Sequence, residues 1–339
     1  MRALVKSKPS PGLELQNVPV PQAGPGEVIV RIAATSLCGT DNHIYRWDEW
    51  AQGRVHPPRI IGHGMCGHVV DLGPGVTSVK MGDYVAAESH LTCGICFQCR
   101  TGNAHVCKNY RILGIDLDGS YAEHVRLPER VLWKTSPEIP PELACLQEPL
   151  GNAVHAALVE EITGQSVLIT GCGPTGLFAA AVARTAGAGL IIATDVSDYR
   201  LALAKRVGVD AAVKAGAGEA ETIERLTDGQ GVDVVLEMSG NPAAIQSAFR
   251  WVKNGGRVSL FGIAEGPLSF DMNEIIFKGI RVFGITGRKL FKTWYRLAGL
   301  FRAGLNITPV VTHTLPMERF AEGFDLIAKG QCGKIVLLP

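Results

Sequence analysis

Four cysteines follow one another within one short segment of the chain. They are spaced C-x-x-C-x-x-C, with a fourth after seven further residues: Cys93, Cys96, Cys99 and Cys107. Four thiolates at this spacing are the usual ligand set of a tetrahedral structural zinc ion. Because zinc bound by four sulfurs has no open position, we expect it to stabilise a lobe, residues 93–107, without taking part in a reaction.

The alternative for these cysteines is a pair of disulfide bonds, as in a secreted protein. The other five of the nine cysteines are scattered, and the N-terminal segment MRALVKSKP has no apolar core of the kind that a secretion signal contains. Both features favour reduced thiols, and therefore zinc. They also predict a cytoplasmic protein.

Charge and hydropathy argue against two classes of partner. The chain has 33 Lys and Arg against 32 Asp and Glu, so no excess charge attracts it to nucleic acid or to an anionic membrane. The longest apolar stretch, which starts at Leu177, is interrupted by Arg184, and this argues against a membrane span. We therefore expect a small-molecule ligand.

The apolar pattern changes near the middle of the 339 residues. Up to about residue 148, short segments such as EVIVRIAAT are separated by glycine and proline turns, which is typical of a small all-β domain. From about Gly164, unbroken apolar segments alternate with helical ones, as in a parallel sheet covered on both faces. We predict an α/β protein with a β-barrel domain at 1–148 and a doubly wound nucleotide-binding domain at 149–292. The pattern leaves open whether the tail, 293–339, extends the second domain or returns to the first.

A glycine motif opens the predicted nucleotide-binding domain. Gly171, Gly173 and Gly176 form G-x-G-x-x-G between the strand SVLIT and a helix, which suits a dinucleotide pyrophosphate, although a tight turn without a ligand has the same pattern. Asp195 ends the next predicted strand, where a carboxylate binds the ribose hydroxyls of NAD and repels the 2′-phosphate of NADP. Arg200 could accept that phosphate. With Asp195 present we expect NAD, and place Arg200 beside the adenosine.

A second candidate site contains a cysteine and two histidines. Cys38, Thr40 and His43 lie in CGTDNH, and His63 follows in GHGMCGH. A thiolate and an imidazole can share a metal ion. Cysteine and histidine also occur in protein cores for packing reasons alone.

Over essentially its full length the sequence resembles the zinc-dependent medium-chain alcohol dehydrogenases. In that family a ligand cysteine is followed by a hydroxyl residue two positions on and a histidine five positions on, and then by a four-cysteine lobe. The segments CGTDNHIYRWDEWAQ, ESHLTCGICFQCRTGNAHVC, EPLGNAVHAAL and GITGRKLFKTWY are similar to its L-threonine 3-dehydrogenase branch. The resemblance implies a GroES-like catalytic domain, a Rossmann domain, a C-terminal return to the catalytic domain from about residue 293, and a homotetramer.

The resemblance also implies an activity: oxidation of L-threonine to 2-amino-3-oxobutanoate, with NAD and with one catalytic and one structural zinc ion per subunit. The implied residues of the reactive site are Cys38 and His63 as metal ligands, Glu148 as metal ligand or proton relay, Thr40 and His43 as proton relay, and His90 for substrate positioning. The implied cofactor residues are Gly171, Gly173, Thr175, Gly176, Asp195, Arg200, Gly262, Ile263, Ala264, Thr286 and Gly287. His155, in the same segment as Glu148, is expected to pack inside its helix.

The chain departs from the family at one position. Relatives have Gly-His-Glu where this chain has Gly62, His63 and Gly64. The missing carboxylate lies on or beside the zinc in relatives, so we expect an active enzyme that depends on added zinc. Cys66 and His68 share a strand face with Gly64, but a core cysteine and a surface histidine explain them more simply. The alternatives are an enzyme that oxidises polyols or other secondary alcohols and, because of Gly64, a catalytically weakened NAD-binding relative.

Overall fold

The computed structural model describes all 339 residues. Its strands are β1 (Arg2–Lys6), β2 (Glu14–Asn17), β3 (Glu27–Ser36), β4 (Arg59–Ile60), β5 (Gly64–Leu72), β6 (Tyr84–Ala87), β7 (His90–Leu91), β8 (Arg111–Ile112), β9 (His124–Pro128), β10 (Leu132–Lys134), β11 (Ser166–Thr170), β12 (Leu190–Asp195), β13 (Ala211–Lys214), β14 (Val232–Glu237), β15 (Val252–Leu260), β16 (Arg281–Gly284), β17 (Val311–Pro316) and β18 (Lys334–Leu338). Its helices are α1 (Gly39–Arg46), α2 (Glu49–Arg54), α3 (Phe97–Arg100), α4 (Pro141–Ala144), α5 (Gln147–Ala157), α6 (Pro174–Thr185), α7 (Asp198–Val207), α8 (Glu219–Leu226), α9 (Pro242–Trp251), α10 (Met272–Lys278), α11 (Lys292–Arg302) and α12 (Phe320–Ala328). None of these helices combines the length and the apolar character that a membrane crossing requires.

The chain divides into two compact units. The first comprises Met1–Glu148 together with Val311–Pro339, and the second comprises Pro149–Val310. Helix α11 and the 3₁₀ turn Thr308–Val310 therefore belong to the second unit, and the chain returns to the first unit only at Val311. The expected return at residue 293 is thus too early. The reason is packing, because the 308–310 turn lies against α6 and α7 of the second unit.

The first unit is built on a seven-stranded, mainly antiparallel sheet. The strand order is β10-β6-β5-β3-β18-β17, and β9 also pairs with β3. Val28, Val30 and Ile32 alternate along β3 and pack with Met65 and Val69 of β5 in one apolar cluster. This alternation is that of a strand with one buried face. The predicted β domain is confirmed, but it also contains helices α1 and α2, which an all-β domain lacks.

A second apolar cluster of the first unit places helix α1. Ile44 of α1 is fully buried in this cluster with Ile61, Tyr121 and Phe324. The next residue of the helix, Tyr45, stacks on the ring of Phe324 with the ring centroids 4.2 Å apart. Because apolar contacts hold one side of α1, the polar residues Thr40, Asp41 and His43 of this helix have defined positions.

The second unit contains a six-stranded parallel sheet of order β13-β12-β11-β14-β15-β16. Its central strands read as continuous apolar runs, and Val167, Leu168 and Ile169 of β11 have no exposed surface, because helices cover both faces of the sheet. The strand order reverses between β11 and β14, which is the topological switch point where doubly wound sheets bind dinucleotides. The predicted doubly wound domain is confirmed.

Candidate active site

The four lobe cysteines lie at the spacing of a tetrahedral metal site. Their sulfur atoms are all within 4.8 Å of one another. The Sγ atom of Cys107 is 3.5 Å from that of Cys93 and 3.7 Å from that of Cys96. Zinc–sulfur bonds of about 2.3 Å in a tetrahedron require sulfur–sulfur distances of about 3.8 Å, whereas a disulfide requires about 2.0 Å. The cysteines therefore fit zinc, and none of the nine cysteines forms a disulfide.

Backbone N–H groups of the lobe point at these sulfurs. The Sγ atom of Cys107 accepts hydrogen bonds from the backbone N–H groups of Cys93, at 3.4 Å, and Asn109, at 3.3 Å. Similar hydrogen bonds lower the pKa of the Cys96 thiol to about 6, and the one from the Cys99 N–H has the largest effect. Donors aimed at sulfur favour the thiolate form, which is the form that binds metal.

Cys38 and His63 form a second pair of potential ligands in the first unit. Cys38 is the N-cap of α1, and the buried His63 comes directly before β5. Burial alone would raise the pKa of the Cys38 thiol, but the adjacent His63 and the Lys334 ammonium lower it below its ordinary value. The Lys334 Nζ atom is held by the backbone oxygen of Leu37, at 2.9 Å.

Asp41 supports this pair, and sequence reasoning missed it. It has no exposed surface, and its Oδ2 atom accepts hydrogen bonds from the Cys38 N–H, at 2.9 Å, and the Tyr121 hydroxyl, at 2.5 Å. Its Oδ1 atom lies 3.5 Å from Nδ1 of His63, and both of these buried atoms lack a hydrogen-bond partner. A carboxylate beside Nδ1 orients the ring so that Nε2 can bind a metal ion. Cys38 and His63 therefore fit a catalytic zinc.

The structure shows what surrounds position 64, where relatives have a carboxylate. Gly64 starts β5 and pairs with Ser36 of β3. A Cβ atom at Gly64 would lie 2.7 Å from the Ser36 Oγ atom and 3.1 Å from the backbone oxygen of Cys145. Ser36 therefore fills the space in which a side chain at position 64 would begin.

Cys66 and His68, the two further candidates on this strand, have other partners. The Sγ atom of Cys66 contacts the backbone oxygen of Pro141, at 3.3 Å, and the Tyr84 hydroxyl, at 3.5 Å. Burial raises the pKa of this thiol to about 12. His68 stacks on the Tyr84 ring with the centroids 5.0 Å apart. Neither residue joins a group of potential metal ligands.

Glu148 lies with His90 and with Glu88, a residue that sequence reasoning missed. The ligand atoms of these three residues are within 4.8 Å of one another. Glu88 is 1 % exposed and Glu148 is 6 % exposed, so two carboxylates share one buried place. The Ser89 hydroxyl donates to Oε1 of Glu148 at 2.6 Å, and Nδ1 of His90 lies 3.4 Å from Oε1 of Glu88.

The role of Glu148, as metal ligand or as proton relay, stays a prediction. Cys38, His63 and Glu148 do not form a group whose ligand atoms all lie within 4.8 Å of one another. Ser89, in the link between β6 and β7, holds the Glu148 carboxylate.

The two relay candidates lie on α1, one helical turn apart. The Oγ1 atom of Thr40 is 4.0 Å from the Cys38 sulfur. His43 is exposed, and its Nδ1 atom lies 2.5 Å from Oδ2 of Asp48. Asp48 also caps α2 by accepting from the Ala51 N–H at 3.1 Å. Helix α1 therefore carries a hydroxyl beside Cys38 and an imidazole at the surface.

The three glycines of the second unit each have the geometry that a dinucleotide turn needs. Gly171 has a φ of +95°, which favours glycine. A Cβ atom at Gly176 would lie 1.9 Å from the Gly171 carbonyl oxygen, so helix and strand can approach only with glycine there. Gly173 caps α6 and has open space where its Cβ would be. These are the three roles of the glycines in a pyrophosphate turn, and Thr175 follows in the first turn of α6.

Asp195 ties the glycine turn to the end of β12. Its Oδ2 atom accepts the Cys172 N–H at 2.7 Å, and its Oδ1 atom accepts the Ser197 N–H at 2.8 Å. Arg200 lies with its Nη1 atom 3.9 Å from Asp195. The carboxylate is held at the carboxyl edge of the sheet, where a ribose would lie.

The remaining cofactor candidates follow the strands on the other side of the switch point. Gly262, Ile263 and Ala264 come after β15, and Thr286 and Gly287 come after β16. Ile263 is 93 % exposed. The sheet therefore brings every predicted cofactor residue to one edge.

The buried Glu237 carboxylate shapes the neighbouring loop, and the sequence had not suggested this residue. It accepts hydrogen bonds from Ser239 N–H and hydroxyl and from Gly240 N–H, at 2.6–3.2 Å. A Cβ atom at Gly262 would lie 2.6 Å from Oε2 of Glu237. The one signal for Glu237 in the sequence is its position as an acidic residue at the end of an apolar strand, in the segment LEMSG.

Comparison with known proteins assigns the family. The model of the alcohol dehydrogenase GroES-like domain matches residues 24–138, and that of the zinc-binding dehydrogenase matches residues 174–303. An L-threonine 3-dehydrogenase from Bacillus velezensis is 48% identical over 343 residues, covering 100% of this chain and 99% of that protein. One from Pyrococcus abyssi is 48% identical over 342 residues, covering 100% and 98%. A zinc-binding dehydrogenase from Sinorhizobium meliloti, solved with NADP, is 27% identical with a TM-score of 0.91, covering 100% of this chain and 99% of that one.

The resemblance drawn from the motifs is confirmed by these matches, and with it the dependence on zinc and a nicotinamide cofactor. Asp195, at the end of β12, stays the residue that is predicted to favour NAD over NADP. The chain therefore belongs to the zinc-dependent alcohol dehydrogenases, within their L-threonine 3-dehydrogenase branch.

Proposed function

We propose that the protein oxidises L-threonine at C3 to 2-amino-3-oxobutanoate, with NAD as the oxidant. The observation that carries the proposal is the Cys38–His63 pair with Asp41 behind the imidazole. That arrangement suits a zinc ion that binds an alcohol, and the chain is 48% identical to L-threonine 3-dehydrogenases over its whole length. We also propose a cytoplasmic location, where the nine free thiols stay reduced.

The residues of the site divide the chemistry between them. When bound, zinc lowers the pKa of an alcohol and NAD accepts a hydride. Cys38 and His63 would hold the metal ion. Thr40 takes the proton that leaves the substrate hydroxyl, and His43 passes it to solvent. Glu148, which lies with Glu88 and His90, serves as a further metal ligand or assists this proton transfer.

The similarity to L-threonine 3-dehydrogenases over the whole chain favours an amino acid over a polyol as substrate. The segment GITGRKLFKTWY and His90 are the features that separate the two branches. His90, beside Glu88, then contributes to substrate positioning.

One assay separates the candidate activities. NADH formation is measured on L-threonine, L-serine and sorbitol, with zinc added or chelated. We expect the highest kcat/KM on L-threonine and loss of activity with the chelator. A preference for sorbitol would favour a polyol dehydrogenase. No activity on any alcohol at saturating zinc would favour an NAD-binding relative without catalysis.

Restoring a carboxylate at position 64 should tighten zinc binding at the catalytic site. Because Ser36 fills the space beside Gly64, the variant to make is Gly64→Glu combined with Ser36→Ala. Groups that support metal ligands typically change metal affinity or activity by about ten- to a hundredfold, and we expect a gain of that size. Zinc titration of the apo-protein, followed by NADH formation, measures it.

The matched control for that experiment is Ser36→Ala alone, which opens the space without adding a ligand. Gly64→Glu alone should gain less than the double variant, since its Cβ atom meets the Ser36 hydroxyl. If neither glutamate variant binds zinc more tightly than the control, position 64 has no part in the metal site of this chain.

Loss of the Asp195 charge should change the choice of cofactor. Asp195→Gly removes ribose hydrogen bonds to a charged group, about 1.5–3 kcal/mol, and also releases the Cys172 N–H. Asp195→Asn is the matched variant, because it keeps an acceptor for that N–H. We expect both variants to bind NAD more weakly and to use NADP better, because Arg200 is then free to bind the 2′-phosphate. Steady-state kcat/KM for both cofactors measures this, and a preference of the unmodified enzyme for NADP would contradict it.

We propose that the protein assembles as a homotetramer. A dimer of dimers needs two different interfaces per subunit, and two exposed apolar patches support this. The first lies at α10 and the edge strand β16, with Ile276 64 % and Phe277 83 % exposed; the second is on the lobe, with Ile95 79 % and Phe97 76 % exposed. Edge strands and apolar patches of this kind are common contact surfaces. Sedimentation velocity tests the proposal, and a monomer at assay concentration would refute it.

A further inference from the structure

Two segments that characterise this branch lie against each other in the second unit. One is on α5, in EPLGNAVH, and the other, TGRK, follows β16. His155 Nδ1 lies 3.0 Å from the Gly287 backbone oxygen. The Arg288 Nη1 atom donates to Oδ1 of Asn152 at 3.3 Å. We call Asn152, His155, Gly287 and Arg288 the α5 clamp.

Packing around the clamp is close. Arg288 is 2 % exposed and His155 is 6 % exposed. A Cβ atom at Gly151 would lie 2.8 Å from Cδ of Arg288, so glycine at that helix position makes room for the arginine side chain. Burial lowers the pKa of His155, so the ring is neutral and its Nδ1–H donates to the Gly287 oxygen. The clamp therefore holds the backbone at Gly287 from the side of α5.

The strand order shows which part of a dinucleotide lies near the clamp. Asp195 ends β12, which pairs with β11 on one side, whereas β14, β15 and β16 follow on the other side. The two halves of a dinucleotide lie on opposite sides of the switch point. With the adenosine ribose at Asp195, Thr286 and Gly287 lie on the nicotinamide side.

We propose that His155 is a positioning residue for the nicotinamide ring of NAD, acting through the Gly287 carbonyl. Gly287 has a φ of +53°, and a glycine gives this backbone little stiffness of its own. The hydrogen bond from His155 and the contacts of Arg288 supply that stiffness. The inference rests on the proposed function in one respect, namely that residues 286–287 contact NAD.

Two substitutions at His155 test the hydrogen bond. His155→Leu removes the donor, and His155→Asn keeps an N–H close to the position of Nδ1. Loss of one hydrogen bond raises a dissociation constant about three- to tenfold. We expect that increase in the Kd of NADH for the leucine variant, and a value within about twofold of the unmodified protein for the asparagine variant. NADH fluorescence measures both without zinc or substrate.

ADP-ribose distinguishes positioning from a general loss of structure. It lacks the nicotinamide ring, so its Kd should stay unchanged in both variants. Gly151→Ala is a second route to the same result, because its methyl group displaces Arg288 while alanine is a good helix residue. We expect this variant to raise the Kd of NADH, also about three- to tenfold, and to leave the Kd of ADP-ribose unchanged.

The proposal is overturned if His155→Leu and Gly151→Ala bind NADH as tightly as the unmodified protein, or if ADP-ribose weakens in parallel with NADH. It is also overturned if His155→Asn binds NADH as weakly as His155→Leu does while its melting temperature is that of the unmodified protein. Failure of the proposed function has a different result, since the unmodified protein would then bind no NADH or oxidise no threonine. Selective loss of NADH in the leucine and alanine variants supports the clamp.

Discussion

Replacing Thr40 with alanine is expected to lower kcat by about a hundred- to ten-thousandfold, the range for lost general acid–base catalysis. The hydroxyl lies 4.0 Å from the Cys38 sulfur, where it can receive the proton of an alcohol held at the metal. Without it, that proton has no path along α1 to the surface. Steady-state kinetics across pH measure the loss, and zinc content should stay the same. Thr40→Ser, which keeps the hydroxyl, is the matched control.

The same path predicts the behaviour of His43. Its side chain is 56 % exposed, so added imidazole can reach the place that His43→Ala leaves empty. We expect imidazole to recover part of the rate in that variant and none in Thr40→Ala. The relay is refuted if both alanine variants keep the rate and pH dependence of the unmodified enzyme.

Replacing Cys96 with serine is expected to release the structural zinc and destabilise the lobe. In zinc-finger peptides the binding of structural zinc contributes about 10–16 kcal/mol, all of it folding free energy. Serine cannot replace the thiolate that the lobe N–H groups stabilise in Cys96. We therefore expect one zinc ion per chain instead of two and a large fall in melting temperature. NADH binding should survive, since the glycine turn belongs to the other compact unit.

Arg100→Ser is the matched control for the lobe. Arg100 lies beside Cys99 and is exposed, so this change should affect neither zinc content nor melting temperature. Elemental analysis after native purification gives the zinc content directly. A protein that contains no zinc and still keeps its full thermal stability would contradict the assignment of the lobe.

The parts of this protein that follow from the sequence alone are those defined by local spacing. Ligands at C-x-x-C intervals, or glycines within one turn, have nearly fixed separations in space because the chain between them is short. For this reason Cys93 to Cys107 and Gly171 to Gly176 have the predicted geometry. The alternation of β3 and the apolar run of β11 predicted the two kinds of sheet for the same reason, since burial on one or two faces is visible in a strand itself.

Tertiary structure decided the contacts between residues that are far apart in the chain. Asp41 meets His63, and Glu148 lies with Glu88 and His90. His155 reaches Gly287 across more than a hundred residues. Such contacts depend on strand order, register and helix packing, which no short segment encodes.

Two further results illustrate the same limit. Ser36 occupies the space beside Gly64 because β3 and β5 pair in one register, and a change of one residue in that register would turn the side chains to opposite faces. The chain returns to the first unit at Val311 because the 308–310 turn packs on α6 and α7. The sequence by itself thus determined which chemical groups the protein has and the domains that carry them. The tertiary structure decided which of those groups meet, because packing, and not proximity along the chain, sets their distances.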